Sequence, residues 1–240
     1  MPGPLALAGS GEFLPEMEAT DRLLLDAALP AAGYALIVPT ASALEPGMPE
    51  EWADRGIKHF RDRLGIPAQA ALILDYEMAD ERFVPLVQAA RLIYFSGGNP
   101  QHLVKSMGGS AFWAAVLARW HEGAALAGCS AGAMMLGEVL QNIVGRSAET
   151  PIALGVLPGI SVIPHFDRIE QFRPGALAAV RERRPRGITL LGVDEVTAAI
   201  CIDGAWSVSG RGKVLIVGDD GELTCSAGER LPLALPATAG

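Results

Sequence analysis

The chain has 240 residues, half of them hydrophobic and 19% charged, with a formal net charge of −8. That length and composition suit one α/β domain over residues 1–240 with a large core, and the acidic balance excludes nucleic acid as the main partner, because phosphate binding needs clustered Lys and Arg. The three cysteines, Cys129, Cys201 and Cys225, lack metal-type spacing and fit a reducing compartment, and no run of about 18 apolar residues exists to span a membrane, so a cytoplasmic protein is expected.

Leu5 to Ala8 reads as a buried strand that ends in the turn Gly9-Ser10-Gly11-Glu12. The start Met1-Pro2-Gly3-Pro4 lacks a basic segment and runs straight into that strand, so no signal peptide is expected. Asp21 to Leu29 carries apolar residues at helical spacing and stops before Pro30. Tyr34 to Val38 is a second strand, closed by Pro39-Thr40-Ala41-Ser42. The stretch 45–51 reads as loop, and Trp52 to Leu64 as an amphipathic helix on which His59 is a surface or packing residue. A strand over 70–75, a helix over 80–90 marred by Pro85, and a strand over 91–95 follow, the last running into Ser96-Gly97-Gly98-Asn99-Pro100. Helices from Gln101 and over 111–120 lead to an apolar strand ending at Cys129.

This alternation of helices with uninterrupted apolar strands predicts a mostly parallel sheet covered on both faces. Residues 141–151 are polar and strand-poor. Beyond them, a strand over 159–164 delivers His165, a helix covers 174–184, and a strand over 188–193 delivers Asp194 and Glu195. The basic cluster Arg181 to Arg186 reads as a solvated helix end. Strands over 197–202, 205–208 and 213–217, with turns at Asp203-Gly204 and Ser209-Gly210, predict a small antiparallel extension near the C-terminus. The Pro/Ala-rich stretch 231–240 reads as a loose tail.

The chemistry gathers at Gly128-Cys129-Ser130-Ala131-Gly132, a G-x-S-x-G sequence between a strand and a helix. Such a nucleophile elbow lifts a serine hydroxyl clear of the sheet on a tight turn that tolerates only small neighbours. A serine nucleophile needs a base, a group to orient that base, and donors for the oxyanion. Of the four histidines, His121 reads as a helix cap, His102 opens a helix near the Gly-Gly turn, and His165 sits at a strand end where sites of open parallel sheets assemble, so His165 is the expected base. Ser130 and His165 are expected at one rim of the sheet. Asp167, Glu149, Asp194 and Glu195 are the candidate orienters, with Asp194 and Glu195 favoured by their place at the end of a neighbouring strand. The backbone N–H of Ala131 and one from Gly97-Gly98 are the candidate oxyanion donors. This chemistry requires no metal or organic cofactor.

The segments Phe95-Ser96-Gly97-Gly98-Asn99, Gly128 to Ala133 and Pro164-His165-Phe166 stand in an order and spacing that resembles the dipeptidase E and cyanophycinase family of serine peptidases. Gly192 to Ala198, Gly9-Ser10-Gly11-Glu12 and Pro39 to Ser42 fit as well, so the likeness extends from Leu5 to Val217. The resemblance implies a fold like that of class I glutamine amidotransferases, with serine replacing their cysteine, and a charge relay of Ser130 and His165. Dipeptidase E-like members imply Glu149 as the acid and cyanophycinase-like members imply Glu195, which is preferred. The implied substrate is a small peptide, including Asp-X and other acidic peptides, with Asn99, Arg168 and Arg173 as substrate-binding candidates. Ile163-Pro164 stands where cyanophycinase has Asp-Gln, which points away from its Asp-Arg polymer. A cyanophycinase-like exopeptidase, a non-catalytic binding protein of the same fold, and a homodimer stay open. A glutamine amidotransferase is disfavoured, because Cys129 lies one residue from the elbow position.

Overall fold

The computed structural model describes residues 1–29, 31–141, 151–172 and 174–233. Its first half alternates strand and helix: β1 (Leu5–Ala8), α1 (Glu18–Ala27), β2 (Tyr34–Val38), α2 (Met48–Lys58), β3 (Ala68–Ala70), α3 (Val84–Gln88), β4 (Ala90–Phe95), α4 (Pro100–Met107), α5 (Ala111–His121), β5 (Ala125–Cys129) and α6 (Ala131–Met135). The second half holds β6 (Ile160–Ile163), α7 (Ile169–Phe172), α8 (Ala176–Glu182), β7 (Thr189–Val193), β8 (Thr197–Ile202), β9 (Ala205–Gly210), β10 (Lys213–Gly218), β11 (Gly221–Ser226) and β12 (Arg230–Leu231).

The strands form two sheets. The larger has eight strands in the order β12-β9-β8-β1-β5-β4-β2-β3. From β1 to β3 its neighbours are parallel, and β8, β9 and β12 extend it antiparallel. The smaller has the order β11-β10-β7-β6, with only β6 and β7 parallel. The expected α/β fold with a mostly parallel sheet, helices on both faces and an antiparallel C-terminal part is therefore observed, but divided between two sheets.

Alternation along the strands explains the layering. Leu5, Leu7, Leu36, Val38, Ile93, Phe95 and Leu126 face one core with Leu103, Phe112, Trp113 and Val116 of α4 and α5. Ala6, Ala8, Ala35, Ala125 and Ala127 face the other with Leu24 and Leu25 of α1, where small side chains let that layer lie close. Leu191, Val193 and Val214 of the smaller sheet join the first core. Its other face, with Ile163, Leu190 and Val217, is covered by Ile169, Ala176 and Val180. Each fully buried Val, Leu, Ile or Phe side chain among these contributes about 1.5–3 kcal/mol.

Several elements depart from the sequence pattern. The strand expected over 70–75 is only Ala68–Ala70; Ala71 still donates to Ile37 O, after which the chain turns, keeping Ala71 and Ile73 buried off the sheet. α2 starts earlier than expected, with Pro49 in the first turn, where a missing N–H costs nothing, and passes into a π-helical turn at His59–Arg63. Pro85 is likewise a first-turn residue of the short α3, preceded by a 3-10 turn at Glu81–Phe83. Leu231, placed in the loose tail, is buried and pairs with Trp206. The basic cluster does lie at the solvated end of α8, where Arg181 and Arg184 pair with Glu222 and Asp219.

Candidate active site

β5 ends at Cys129, and Ser130 follows at φ 51°, ψ −112°, a backbone conformation that side chains rarely adopt. The Ser130 N–H donates to Ala8 O, and its carbonyl accepts from Ala133 and Met134, which starts α6 at once. The glycines of the elbow are dictated by close approach. A Cβ on Gly128 would lie 2.2 Å from Gly132 O, and one on Gly132 would lie 2.3 Å from Phe95 O. The Cys129 side chain turns the other way: its Sγ donates to Glu12 Oε2 at 2.9 Å. Burial and the nearby Glu12 charge push its thiol well above the ordinary range, so it is held as a thiol.

His165 follows β6 at φ 51°, ψ 37°, and the next residue, Phe166, packs against Gly192 so tightly that a Cβ there would come within 2.5 Å of the ring. Ser130 Oγ lies 3.2 Å from His165 Nε2, and His165 Nδ1 lies 2.9 Å from Glu195 Oε1. Ser130 and His165 were expected at one rim of one sheet. They instead reach each other from the ends of two sheets, Ser130 from the larger and His165 from the smaller.

The other carboxylates are occupied. Asp167 Oδ1 accepts from the Glu195 N–H at 2.8 Å, and Asp194 Oδ2 accepts from the Lys213 N–H at 2.9 Å. Glu149 lies outside the described residues, as does Arg173. Arg168 does not line the cleft beside Ser130; its guanidinium lies 3.5 Å from Glu195 Oε2, 3.6 Å from Asp167 Oδ2 and 3.1 Å from Gln171 Oε1. Asn99, expected at the substrate, spends its side chain capping α4, accepting from the His102 N–H at 2.9 Å. His102 turns to Leu74 O.

Gly98 adopts φ 142°, and a Cβ there would lie 2.3 Å from Ala41 O. Neither its N–H nor that of Ala131 donates to an acceptor among the described residues. Gly97 is different: its N–H donates to Glu12 Oε1 at 2.9 Å.

Ser130, His165, Glu195 and Gly98 line a cleft of about 770 Å³. Phe13, Leu14, Met48 and Trp52 give it an apolar wall, and Arg55, Lys58 and Arg63 place cations along it. Arg55 stacks over Trp52 and pairs with Glu51, Arg63 pairs with Glu18, and Lys58 makes no ion pair among the described residues. His59 is buried rather than surface-lying, with Nε2 2.7 Å from Asp21 Oδ2, and burial raises the Asp21 carboxyl above its usual range. The wall residues from Met48 to Arg63 were not legible in the sequence, because a helix of mixed charge does not reveal which face meets a cleft. Among the described residues no group of three or more His, Cys, Asp or Glu side chains is arranged to hold a metal ion.

A serine on a strained strand-to-helix turn, hydrogen-bonded to a histidine that is in turn bonded to a carboxylate, is the arrangement of a serine hydrolase on an α/β fold. The model of peptidase family S51 matches residues 5–208, and the chain belongs to that family. The chain is a serine peptidase. It is similar to a crystal structure of a peptidase from an acI-B1 Actinobacterium, with 34% identity, a TM-score of 0.89, and coverage of 97% of this chain and 98% of that one. A protein from Listeria monocytogenes EGD-e assigned as a Peptidase E shares the fold at 17% identity, with a TM-score of 0.58 over 96% of this chain and 100% of the other. No curated protein matches the chain. Among the described residues no helix is long and apolar enough to cross a membrane.

Proposed function

We propose that the chain hydrolyses small peptides through an acyl-enzyme on Ser130, in the manner of dipeptidase E, and that acidic peptides such as Asp-X are its substrates. His165 Nε2 takes the proton from Ser130 Oγ as the oxygen attacks the scissile carbonyl carbon. The Gly98 and Ala131 N–H groups receive the oxyanion. Collapse of the tetrahedral adduct breaks the C–N bond, and His165 returns the proton to the leaving amine. Water then attacks the ester by the same route, regenerating Ser130 and releasing the acid. Glu195 holds Nδ1–H, fixing the tautomer that leaves Nε2 free to accept and stabilising the imidazolium that forms.

The observation that carries this reading is the pair of hydrogen bonds from Ser130 Oγ to His165 Nε2 and from His165 Nδ1 to Glu195 Oε1. The preference for acidic peptides is supported by Arg55, Lys58 and Arg63 on the cleft wall of a chain whose net charge is −8. Hydrolysis of a dipeptide panel by wild type and Ser130→Ala tests both parts. Asp-X and Glu-X peptides should turn over fastest, and loss of the hydroxyl should lower kcat by about 10⁴-fold or more. Equal rates in the two proteins would remove Ser130 as the nucleophile, and a preference for Lys-X or Arg-X would remove the acidic substrate class.

A further inference from the structure

Glu12 is a buried carboxylate with 7% of its surface exposed, and that surface opens on the cleft. It accepts from two neutral donors, the Gly97 N–H and the Cys129 thiol. Among the described residues no cationic side chain pairs with it, although Arg55, Lys58 and Arg63 line the same cleft. Buried carboxylates are ordinarily neutralised by a paired cation, and one left without a partner is costly. The space in front of Gly97 is shared with the reacting group: a methyl built on Gly97 would lie 3.1 Å from Glu12 Oε1 and 3.7 Å from Ser130 Oγ. A cation that meets Oε1 from that side sits beside Ser130, and so beside the carbonyl that Ser130 attacks. In a peptide, the cation always one carbon from a carbonyl is the α-ammonium of the first residue.

We propose that Glu12 is the acceptor for the substrate's N-terminal ammonium, so that the bond opened is the one after the first residue and an N-blocked peptide is a poor substrate. The inference rests on Ser130 as nucleophile and adds the group that registers the chain end against it. Each Glu12 oxygen carries one hydrogen bond from the protein and keeps a second lone pair for the ammonium. Glu45 also lines the cleft, but it is exposed at the rim, where water already solvates its charge. Glu195 faces His165 and Arg168.

The test compares two diphenyl α-aminoalkylphosphonates with the same aspartate side chain, one with a free amine and one N-acetylated. The rate at which each phosphonylates Ser130 is read by intact mass. On wild type the free amine should react about 10- to 100-fold faster, the worth of one charge-assisted hydrogen bond. In Glu12→Gln, whose amide oxygen still accepts from Gly97, that ratio should fall toward one. A ratio near one on wild type overturns the inference without any variant. So does an undiminished ratio in folded Glu12→Gln, or a ratio that collapses in Glu45→Gln instead. A plain fluorophosphonate carries no amine and separates the two levels. If it labels wild-type Ser130 while the free-amine probe shows no advantage over the acetylated one, only the ammonium site is wrong; if it fails to label Ser130, the nucleophile assignment is wrong.

Discussion

Phe13, Ser130, His165 and Val196 share positive φ, and all line the cleft; among the described non-glycine residues only Asp203 shares that conformation elsewhere. Strain of about 1–3 kcal/mol per residue persists only where surrounding structure enforces it, and here it gathers around one cleft. Ser130 and His165 were legible because a short motif and a strand end mark them. Glu195 was one of four open carboxylates, since spacing does not tell which of Asp167, Asp194 and Glu195 turns inward. Glu12 went unread because one acid after a Gly-rich turn has no local signature. Glu195→Gln should lower kcat by about 10³- to 10⁴-fold with the fold intact, because the amide no longer enforces the tautomer. Asp167→Asn keeps an acceptor for the Glu195 N–H and should cost no more than about 10-fold. Steady-state kinetics on the best dipeptide would show both, and a larger loss in Asp167→Asn would transfer the orienting role.

At the scale of elements, the elbow is a contact of three backbones: the glycines of β5 and α6 touch each other and the end of β4. Gly132→Ala must push Phe95 O aside, and its urea midpoint should fall by the equivalent of about 1–3 kcal/mol with loss of activity. An unchanged midpoint would mean that the turn has room to spare. α1 is tied to the end of α2 by the buried Asp21–His59 pair. Asp21→Ala leaves that histidine's Nε2 without its partner and should cost about 1–3 kcal/mol, again read from a urea titration. The parallel strands β1, β2, β4 and β5 were legible because both faces are apolar. β11 and β12 were not, since β11 is mostly exposed and β12 spans two residues. The division into two sheets was also illegible, because β6 and β7 carry the same apolar pattern as the strands of the larger sheet.

For the molecule as a whole, the site is a seam: the larger sheet presents the hydroxyl, and the smaller presents the imidazole and its carboxylate. Buried acids that titrate late give the fold a defined alkaline limit. Burial raises Cys129 and Tyr94 well above their ordinary values of 9.0 and 10.0, and pushes Cys201 up to about 11. In the unfolded chain these groups lose protons first, so the folded state binds more protons and stability falls as pH rises past about 9. The urea midpoint should decline steadily between pH 8.5 and 11 on the order of that linkage. A flat midpoint would place these groups in water.

The seam itself is tested most directly by the rate at which a fluorophosphonate modifies Ser130, mapped by peptide mass, in wild type and in His165→Ala. If the two sheets bring hydroxyl and imidazole into one relay, wild type gives a single adduct on Ser130 and His165→Ala reacts slower by about 10³-fold or more. An adduct elsewhere, or equal rates in the two proteins, would contradict it.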